Sequence, residues 1–182
     1  MYGAMLGDII GSRFEFDRGR KTKEFAFFTR ESQYTDDSVM TVAVAEALMN
    51  AGPDTVEGKV KTELVRLMKE WGRRIPDAGY GGMFYTWLFT DRTEPYGSYG
   101  NGSAMRVSPA GWLYDSLERT REVARWTAEV THDHPEGVKG AESVAAVIFL
   151  ARTDHKKDEI REYVIREFGY DLSRICDEIR PG

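Results

Sequence analysis

The stretch that decides the fold is residues 34–53, which read YTDDSVMTVAVAEALMNAGP. Apolar and small side chains recur at helical spacing from Ser38 to Asn50, and the following Ala51-Gly52-Pro53 is a strong helix stop. The same spacing predicts four further helices, over Val56–Ile75, Arg119–Thr131, Pro135–Ala151 and Lys156–Phe168. Because no stretch alternates cleanly over about six residues, as a half-buried strand does, the sequence predicts an all-α fold.

The composition is that of a globular protein, with 182 residues of which 41% are hydrophobic and 30% charged. We expect one domain over residues 1–182. The 30 acidic against 25 basic residues argue against a general nucleic-acid binder, because neutralising phosphates requires clustered Lys and Arg. The longest strongly apolar run, Val144–Ala151, is far shorter than the ~20 residues of a membrane span. Cys176 is the only cysteine, which favours a reducing, cytoplasmic setting.

Thr35, Asp36 and Asp37 stand directly before the first predicted helix and have two interpretations. As helix caps, they would accept hydrogen bonds from free N–H groups and complement the positive end of the helix dipole. As metal ligands, one hydroxyl and two adjacent carboxylates provide only oxygen atoms, which suit Mg²⁺, Mn²⁺ or Ca²⁺ rather than zinc. Caps are far more common, but two adjacent aspartates exceed what a cap requires.

A glycine-rich loop covers Gly97–Gly102, with three glycines in six positions. Glycine permits positive φ and close backbone approach, and the apolar segment Ala104–Leu113 follows directly. We expect the loop to lead into a helix N-terminus, where backbone N–H groups can hold a phosphate. A plain surface turn explains the glycines equally well. The loop is not a P-loop, because it lacks the Lys-Ser/Thr pair.

Two histidines, His132 and His134, flank Asp133 just before Pro135. They are either metal ligands or part of a polar turn that caps the next helix. The turn is favoured, because no other His or Cys lies nearby in the sequence.

The N-terminal segment has two unusual features. Glu15 lies between Phe14 and Phe16 and has two interpretations. If apolar surroundings raise its pKa, it acts as a base or gate. Otherwise it is a solvated loop carboxylate. Glycines 3, 7 and 11 form a stripe with a spacing of four, which would let another helix pack closely.

Taken together and in this order, these segments resemble the ADP-ribosylglycohydrolase family. The resemblance runs from Tyr2 to the last residue, and the acidic pair and the glycine loop are its diagnostic parts. It is carried by Gly3-Ala4-Met5-Leu6-Gly7-Asp8 with Glu15, by Tyr34-Thr35-Asp36-Asp37, by Gly100-Asn101-Gly102-Ser103-Ala104-Met105-Arg106 and by Thr131-His132.

The resemblance implies a compact all-α fold around two metal ions, usually magnesium and sometimes manganese. It implies a hydrolase that cleaves the glycosidic bond at C1″ of ADP-ribose and releases it from a modified protein or small acceptor. Thr35, Asp36 and Asp37 match the family's first metal-ligand cluster, and Glu15 matches a glutamate near the scissile bond, so Glu15 and the two aspartates are the catalytic candidates. The matching substrate-binding positions are Ser98, Tyr99, Gly100, Asn101, Gly102, Ser103 and His132, with His134 a weaker match.

One departure from the family concerns its second acidic cluster, Gly-Gly-Asp-x-Asp-Thr, which this sequence lacks. Thr153-Asp154 has no such glycines, and Asp171 stands alone. We therefore expect a C-terminally truncated fold, at most half of the metal site, and uncovered apolar surface that favours a homo-oligomer. Three interpretations stay open: an active hydrolase, a catalytically silent binder of ADP-ribose or one metal, and a structural protein, since jellyfish crystallins resemble this family.

Overall fold

The computed structural model describes residues 1–15, 24–175 and 178. Phe16 and Cys176 lie outside these residues. The described helices are α1 (Tyr2–Gly11), α2 (Asp36–Ala51), α3 (Glu57–Arg74), α4 (Gly82–Phe89), α5 (Gly102–Met105), α6 (Ser108–Leu113), α7 (Leu117–Glu129), α8 (Pro135–Arg152) and α9 (Lys157–Phe168), with a 3₁₀ turn at Ser12–Phe14. No strand occurs in this part of the chain, so the predicted all-α fold is confirmed.

Helix α2 lies at the centre of the core and is apolar on nearly every side. Its completely buried side chains are Met40, Ala43, Val44, Ala47 and Leu48. The small alanines leave room for α1, α3 and α6 to pack against it. The helix ends at Ala51, where Gly52 adopts a φ of 87°, a backbone conformation that suits glycine. The helix predicted over Ser38–Asn50 is thus confirmed, with its start two residues earlier.

The other four predicted helices correspond to α3, α7, α8 and α9. Pro135 occupies the first turn of α8, and Gly169 ends α9 with a left-handed φ of 68°, both as expected. Helix α7 begins before the predicted Arg119, because the Ser116 hydroxyl accepts a hydrogen bond from the Arg119 N–H and caps the helix. Helix α8 packs against both α7 and α9.

The apolar segment Ala104–Leu113 does not form one continuous helix, and it is divided between two short helices, α5 and α6. Pro109 explains the break, because its ring would clash with the carbonyl of Met105 in an unbroken helix. Pro109 instead lies in the first turn of α6. The break places the Arg106 side chain in the core, where it is only 1% exposed.

The prediction that the glycine stripe of α1 packs closely against another helix is wrong. A Cβ atom at position 3, 7 or 11 would meet no atom of the described residues within 4 Å. Polar bonding from Asp8 joins α1 to α2 instead. An apolar groove of ≈ 450 Å³ lies between α1, α6 and α8 and includes Trp112 and Ile148; self-association through such a surface stays a prediction. Among the described helices, none combines the length and apolarity that crossing a membrane requires.

Candidate active site

The N-terminus of α2 is capped by Thr35 and Asp8, not by the acidic pair. The Thr35 hydroxyl accepts a hydrogen bond from the Asp37 N–H at 3.4 Å. The Asp36 N–H donates to the Ala78 carbonyl at 2.8 Å, and the Ser38 N–H donates to the Asp8 carboxylate at 3.1 Å. The first-turn N–H groups are therefore bonded without the side chains of Asp36 and Asp37.

Asp8 is a residue whose role the sequence did not reveal. Its carboxylate accepts four hydrogen bonds from α2, from the Thr35 N–H at 2.9 Å, the Thr35 hydroxyl at 2.6 Å, the Ser38 N–H at 3.1 Å and the Ser38 hydroxyl at 2.5 Å. Its negative charge lies at the positive end of the α2 dipole. The sequence offered two signals, the place of Asp8 at the end of the Gly3–Asp8 motif and its position as a single acid in an otherwise apolar run.

The carboxylates of Asp36 and Asp37 lie among other acidic groups, and neither forms an ion pair with a described residue. Within the described residues, neither accepts a hydrogen bond from another residue. Burial, with the charges of Asp37, Glu15 and Asp8, raises the pKa of Asp36 from 3.8 to about 7. Burial and the charges of Asp8 and Glu15 raise the pKa of Asp37 to about 6. A cation would relieve the repulsion between these charges.

The chemistry of these oxygen atoms fits a hard divalent cation. Asp36 and Asp37 offer unpartnered carboxylate oxygens, and the Thr35 hydroxyl, which donates to Asp8 and accepts from Asp37, retains one lone pair. Across residues 1–15, 24–175 and 178, no group of three or more His, Cys, Asp and Glu side chains is placed to hold a metal ion. The α2 pair is therefore smaller than a complete metal centre.

A cleft of ≈ 500 Å³ lies beside the start of α2 and is lined by Glu15, Tyr34, Thr35, Asp77 and Ala78, among others. Glu15 is exposed to solvent, so the apolar enclosure expected from its flanking phenylalanines is not found in the described part of the chain. Its charge nevertheless acts on the carboxylates of the α2 pair. Glu15 is therefore near enough for its charge to act on both aspartates, and its place near a scissile bond stays a prediction.

The glycine loop uses its glycines differently from what we expected. Only Gly97 has a positive φ, of 70°, so Gly100 and Gly102 do not adopt a left-handed backbone. Gly102 is needed for close approach instead, because a Cβ atom there would lie 3.1 Å from both Cε1 and Nε2 of His132. The Gly97 N–H donates to the Asp133 carboxylate at 2.6 Å, which ties the start of the loop to the His132 segment.

The side chains of the loop divide into buried and exposed groups. Tyr99 is 75% exposed and its ring lies 5.4 Å from that of His134. Ser98 is buried, and its hydroxyl accepts a hydrogen bond from the Gly100 N–H at 3.4 Å, while Asn101 is exposed. Ser103 is completely buried, and its hydroxyl donates to the Gly137 carbonyl at 2.7 Å. Ser103 therefore holds the loop to α8, and its expected contact with substrate stays a prediction.

The two histidines have different roles. His134 caps α8, because its Nδ1 accepts a hydrogen bond from the Glu136 N–H at 3.2 Å, so the turn interpretation holds for this residue. His132 is buried and packs between Gly102 and Gly137. Burial, together with the positive charge of Arg106, lowers the pKa of His132 to about 3, and the imidazole is neutral at physiological pH.

Arg106 connects the acidic pair to the His132 segment. Its guanidinium donates to the Thr131 hydroxyl at 2.7 Å and to the Thr127 carbonyl at 3.2 Å. Its charge interacts with that of Asp36, while burial lowers the pKa of Arg106 to about 10. The sequence contained this arginine within the glycine-loop motif but did not indicate that it is buried without a carboxylate partner in contact.

The sequence motifs indicated an acidic pair at the start of a helix, and the structure adds a glycine loop that packs on a neutral histidine. The family model for ADP-ribosylglycohydrolase matches residues 1–180. The chain belongs to the ADP-ribosylglycohydrolase family.

Among curated proteins, the chain is similar to ADP-ribosylhydrolase ARH3 from several vertebrates. It is 27% identical to the Bos taurus protein over 190 residues, covering 86% of this chain and 50% of that protein. It is 30% identical to the Xenopus tropicalis protein over 176 residues, covering 83% and 49%. It is 28% identical to the Homo sapiens protein over 190 residues, covering 86% and 50%. The chain thus spans about half the length of the curated relatives it matches.

Proposed function

We propose that this chain is an ADP-ribosylglycohydrolase-type hydrolase that cleaves the C1″ glycosidic bond of ADP-ribose attached to a protein side chain or small acceptor. The observation that carries the proposal is the pair of carboxylates of Asp36 and Asp37, which accept no hydrogen bond from any other described residue, at an N-terminus already capped by Thr35 and Asp8. Burial and the negative charges around them raise the pKa values of both acids, a pattern typical of functional sites. The name of the relatives, ADP-ribosylhydrolase, supports the class of substrate.

Thr35, Asp36 and Asp37 are the residues that would hold Mg²⁺ or Mn²⁺ in this chain. When bound, such a cation supplies a water of lowered pKa and stabilises charge on the ribose oxygens. Glu15 is exposed at the cleft and close enough to act electrostatically on the pair, and in this proposal its carboxylate accepts a proton from the attacking water.

The glycine loop and His132 would hold the rest of ADP-ribose. Tyr99 offers a largely exposed ring for stacking, and Ser98, Asn101 and the backbone of the loop offer polar groups for the diphosphate and ribose. The neutral imidazole of His132 lies directly behind Gly102. The loop therefore supplies recognition, and the α2 pair with Glu15 supplies the chemistry.

The test is release of free ADP-ribose from an ADP-ribosylated peptide by the purified chain, titrated with Mg²⁺ and with Mn²⁺. We expect release that requires the metal and disappears in the double variant Asp36→Asn with Asp37→Asn. A matched control is Asp158→Asn, an exposed first-turn acid of α9. Binding of ADP-ribose without release would replace the proposal with the silent binder, and neither binding nor release would favour a structural protein.

A further inference from the structure

We propose that Arg106, acting through Thr131, is a positioning residue that fixes His132 in the tautomer with its proton on Nε2. The inference deepens the proposed function by giving His132 one defined chemical role. That role is a permanent hydrogen-bond donor behind the glycine loop, directed at an oxygen acceptor of ADP-ribose. The choice of ADP-ribose as the ligand rests on the proposed function.

The first step is the direction of the bond between Arg106 and Thr131. A guanidinium has only donors, so the 2.7 Å contact from Arg106 Nη2 places the Thr131 oxygen in the acceptor role. Arg106 is 1% exposed and Thr131 is completely buried, so water does not compete for this bond. One lone pair of the Thr131 hydroxyl is therefore permanently occupied.

The second step is the proton of the Thr131 hydroxyl. Its oxygen lies 2.8 Å from Nδ1 of His132, and among the described residues no other acceptor is within hydrogen-bonding distance of it. If Nδ1 carried a proton, the buried hydroxyl would have no acceptor for its own, an arrangement that is strongly disfavoured. The hydroxyl therefore donates to Nδ1, and Nδ1 is the unprotonated nitrogen.

The third step is the charge of the ring. The charged groups that act on His132 are Arg106, which disfavours the cation, and Asp133, which favours it. Burial and Arg106 prevail and lower the pKa of His132 to about 3. A neutral ring with an unprotonated Nδ1 must carry its single proton on Nε2.

The last step is where this proton is presented. Nε2 would lie 3.1 Å from a Cβ atom at Gly102, so it faces the backbone of the glycine loop. Within the described part of the chain Nε2 has no hydrogen-bond partner, and Gly137 packs against the Cβ and Cδ2 atoms of His132. An N–H donor suits a phosphate or ribose oxygen of a ligand, whereas the other tautomer would present a lone pair and repel it.

The tautomer is tested directly by two-bond ¹H–¹⁵N correlation NMR on the chain labelled with ¹⁵N-histidine. We expect the His132 signals of the parent to show a neutral ring protonated at Nε2. Thr131→Val, nearly isosteric but without the hydroxyl, should lose this preference, whereas the matched control Thr131→Ser should keep it. Two results would overturn the inference. The first is a parent ring protonated at Nδ1, which needs no variant to detect. The second is an unchanged tautomer in folded Thr131→Val.

Binding of ADP-ribose, followed by calorimetry, tests the role of the donor. Thr131→Val should weaken binding by about tenfold, the loss expected for one hydrogen bond, and Thr131→Ser by less than about twofold. Equal affinity of the parent and Thr131→Val would reject the positioning role. If the parent binds no ADP-ribose while its tautomer is as expected, the proposed function fails and the tautomer assignment stands.

Discussion

The four hydrogen bonds to the Asp8 carboxylate allow one consequence to be worked through in detail. Asp8→Ala removes the acceptor of the N–H and hydroxyl groups of both Thr35 and Ser38. A hydrogen bond to a charged group contributes about 1.5–3 kcal/mol, and the lost charge at a helix N-terminus adds about 0.3–1 kcal/mol. The four bonds share two residues, whose hydroxyl groups can turn to other acceptors, so we expect a total loss of about 3–5 kcal/mol.

The assay is urea unfolding of the parent and Asp8→Ala, followed by circular dichroism. A loss of this size is a large part of the about 5–15 kcal/mol that stabilises a typical domain, and it should move the midpoint strongly. The control is Asp158→Ala, an exposed acid in the first turn of α9 that should change stability by less than about 1 kcal/mol. If Asp8→Ala matched this control, Asp8 would not hold α1 to α2.

The same residue has a second, electrostatic effect. The charge of Asp8 is the largest contribution, after burial, to the raised pKa of Asp37. Asp8→Asn keeps the shape of the side chain but removes that charge, so the pKa of Asp37 should fall below about 6. Carboxyl ¹³C NMR titration measures the change, and an unchanged or higher pKa would contradict the placement of the two carboxylates.

Three further perturbations give equally direct tests. Burial and neighbouring charges raise the pKa of Asp36 to about 7 and that of Asp37 to about 6, from 3.8, so the acids destabilise the fold progressively as the pH rises from about 4 to 8. The double variant Asp36→Asn with Asp37→Asn should therefore stabilise the metal-free protein by about 1–3 kcal/mol at about pH 8 and by much less at about pH 4. It should also abolish stabilisation by Mg²⁺ in thermal melts. Equal effects on stability at the two pH values would be inconsistent with these pKa shifts. Gly102→Val should displace the ring of His132, because the new Cβ would lie 3.1 Å from it. We expect ADP-ribose binding, measured by calorimetry, to weaken at least about tenfold. An unchanged affinity would rule the loop out as the ligand site. Gly111→Ala should destabilise the protein by about 1–3 kcal/mol in urea unfolding, because its Cβ would lie 2.7 Å from a side chain of α8, whereas the control Gly58→Ala, which meets no described atom within 4 Å, should be neutral or stabilising.

Much of the helical structure could be predicted because its signals are local. Periodic apolar residues, a proline in a first turn and a glycine at a last turn act within a few positions of the chain, and they located α2, α3, α7, α8 and α9. The same reasoning correctly led the glycine loop into a helix, but it did not reveal the break before Pro109 inside the apolar run Ala104–Leu113. It also failed for the α1 glycines, because a stripe of small residues does not specify what packs against it.

The sequence named the residues of the candidate site but did not show which of them the fold already uses for its own hydrogen bonds. The motifs around Asp36 and Gly102 resemble a known family, and the family match over residues 1–180 confirms that resemblance. Whether the aspartates cap α2 could not be decided from sequence, because two of the groups that bond its first N–H groups, the Asp8 carboxylate and the Ala78 carbonyl, are remote in the chain. The hydroxyl of Ser103 likewise seemed available for a ligand until its bond to α8 was seen.

The amino-acid sequence by itself determined the helical class, the order of most helices and the family, because helix periodicity and short motifs depend on neighbouring residues. Only the tertiary structure decided which polar groups are already bonded. It showed that Asp8 and Thr35 bond the start of α2, while no other described residue donates a hydrogen bond to the carboxylates of Asp36 and Asp37. It also buried Arg106 in contact with Thr131, whose hydroxyl lies beside His132. The physical reason is that hydrogen bonds and burial depend on distances between residues remote in the chain, which local patterns do not encode.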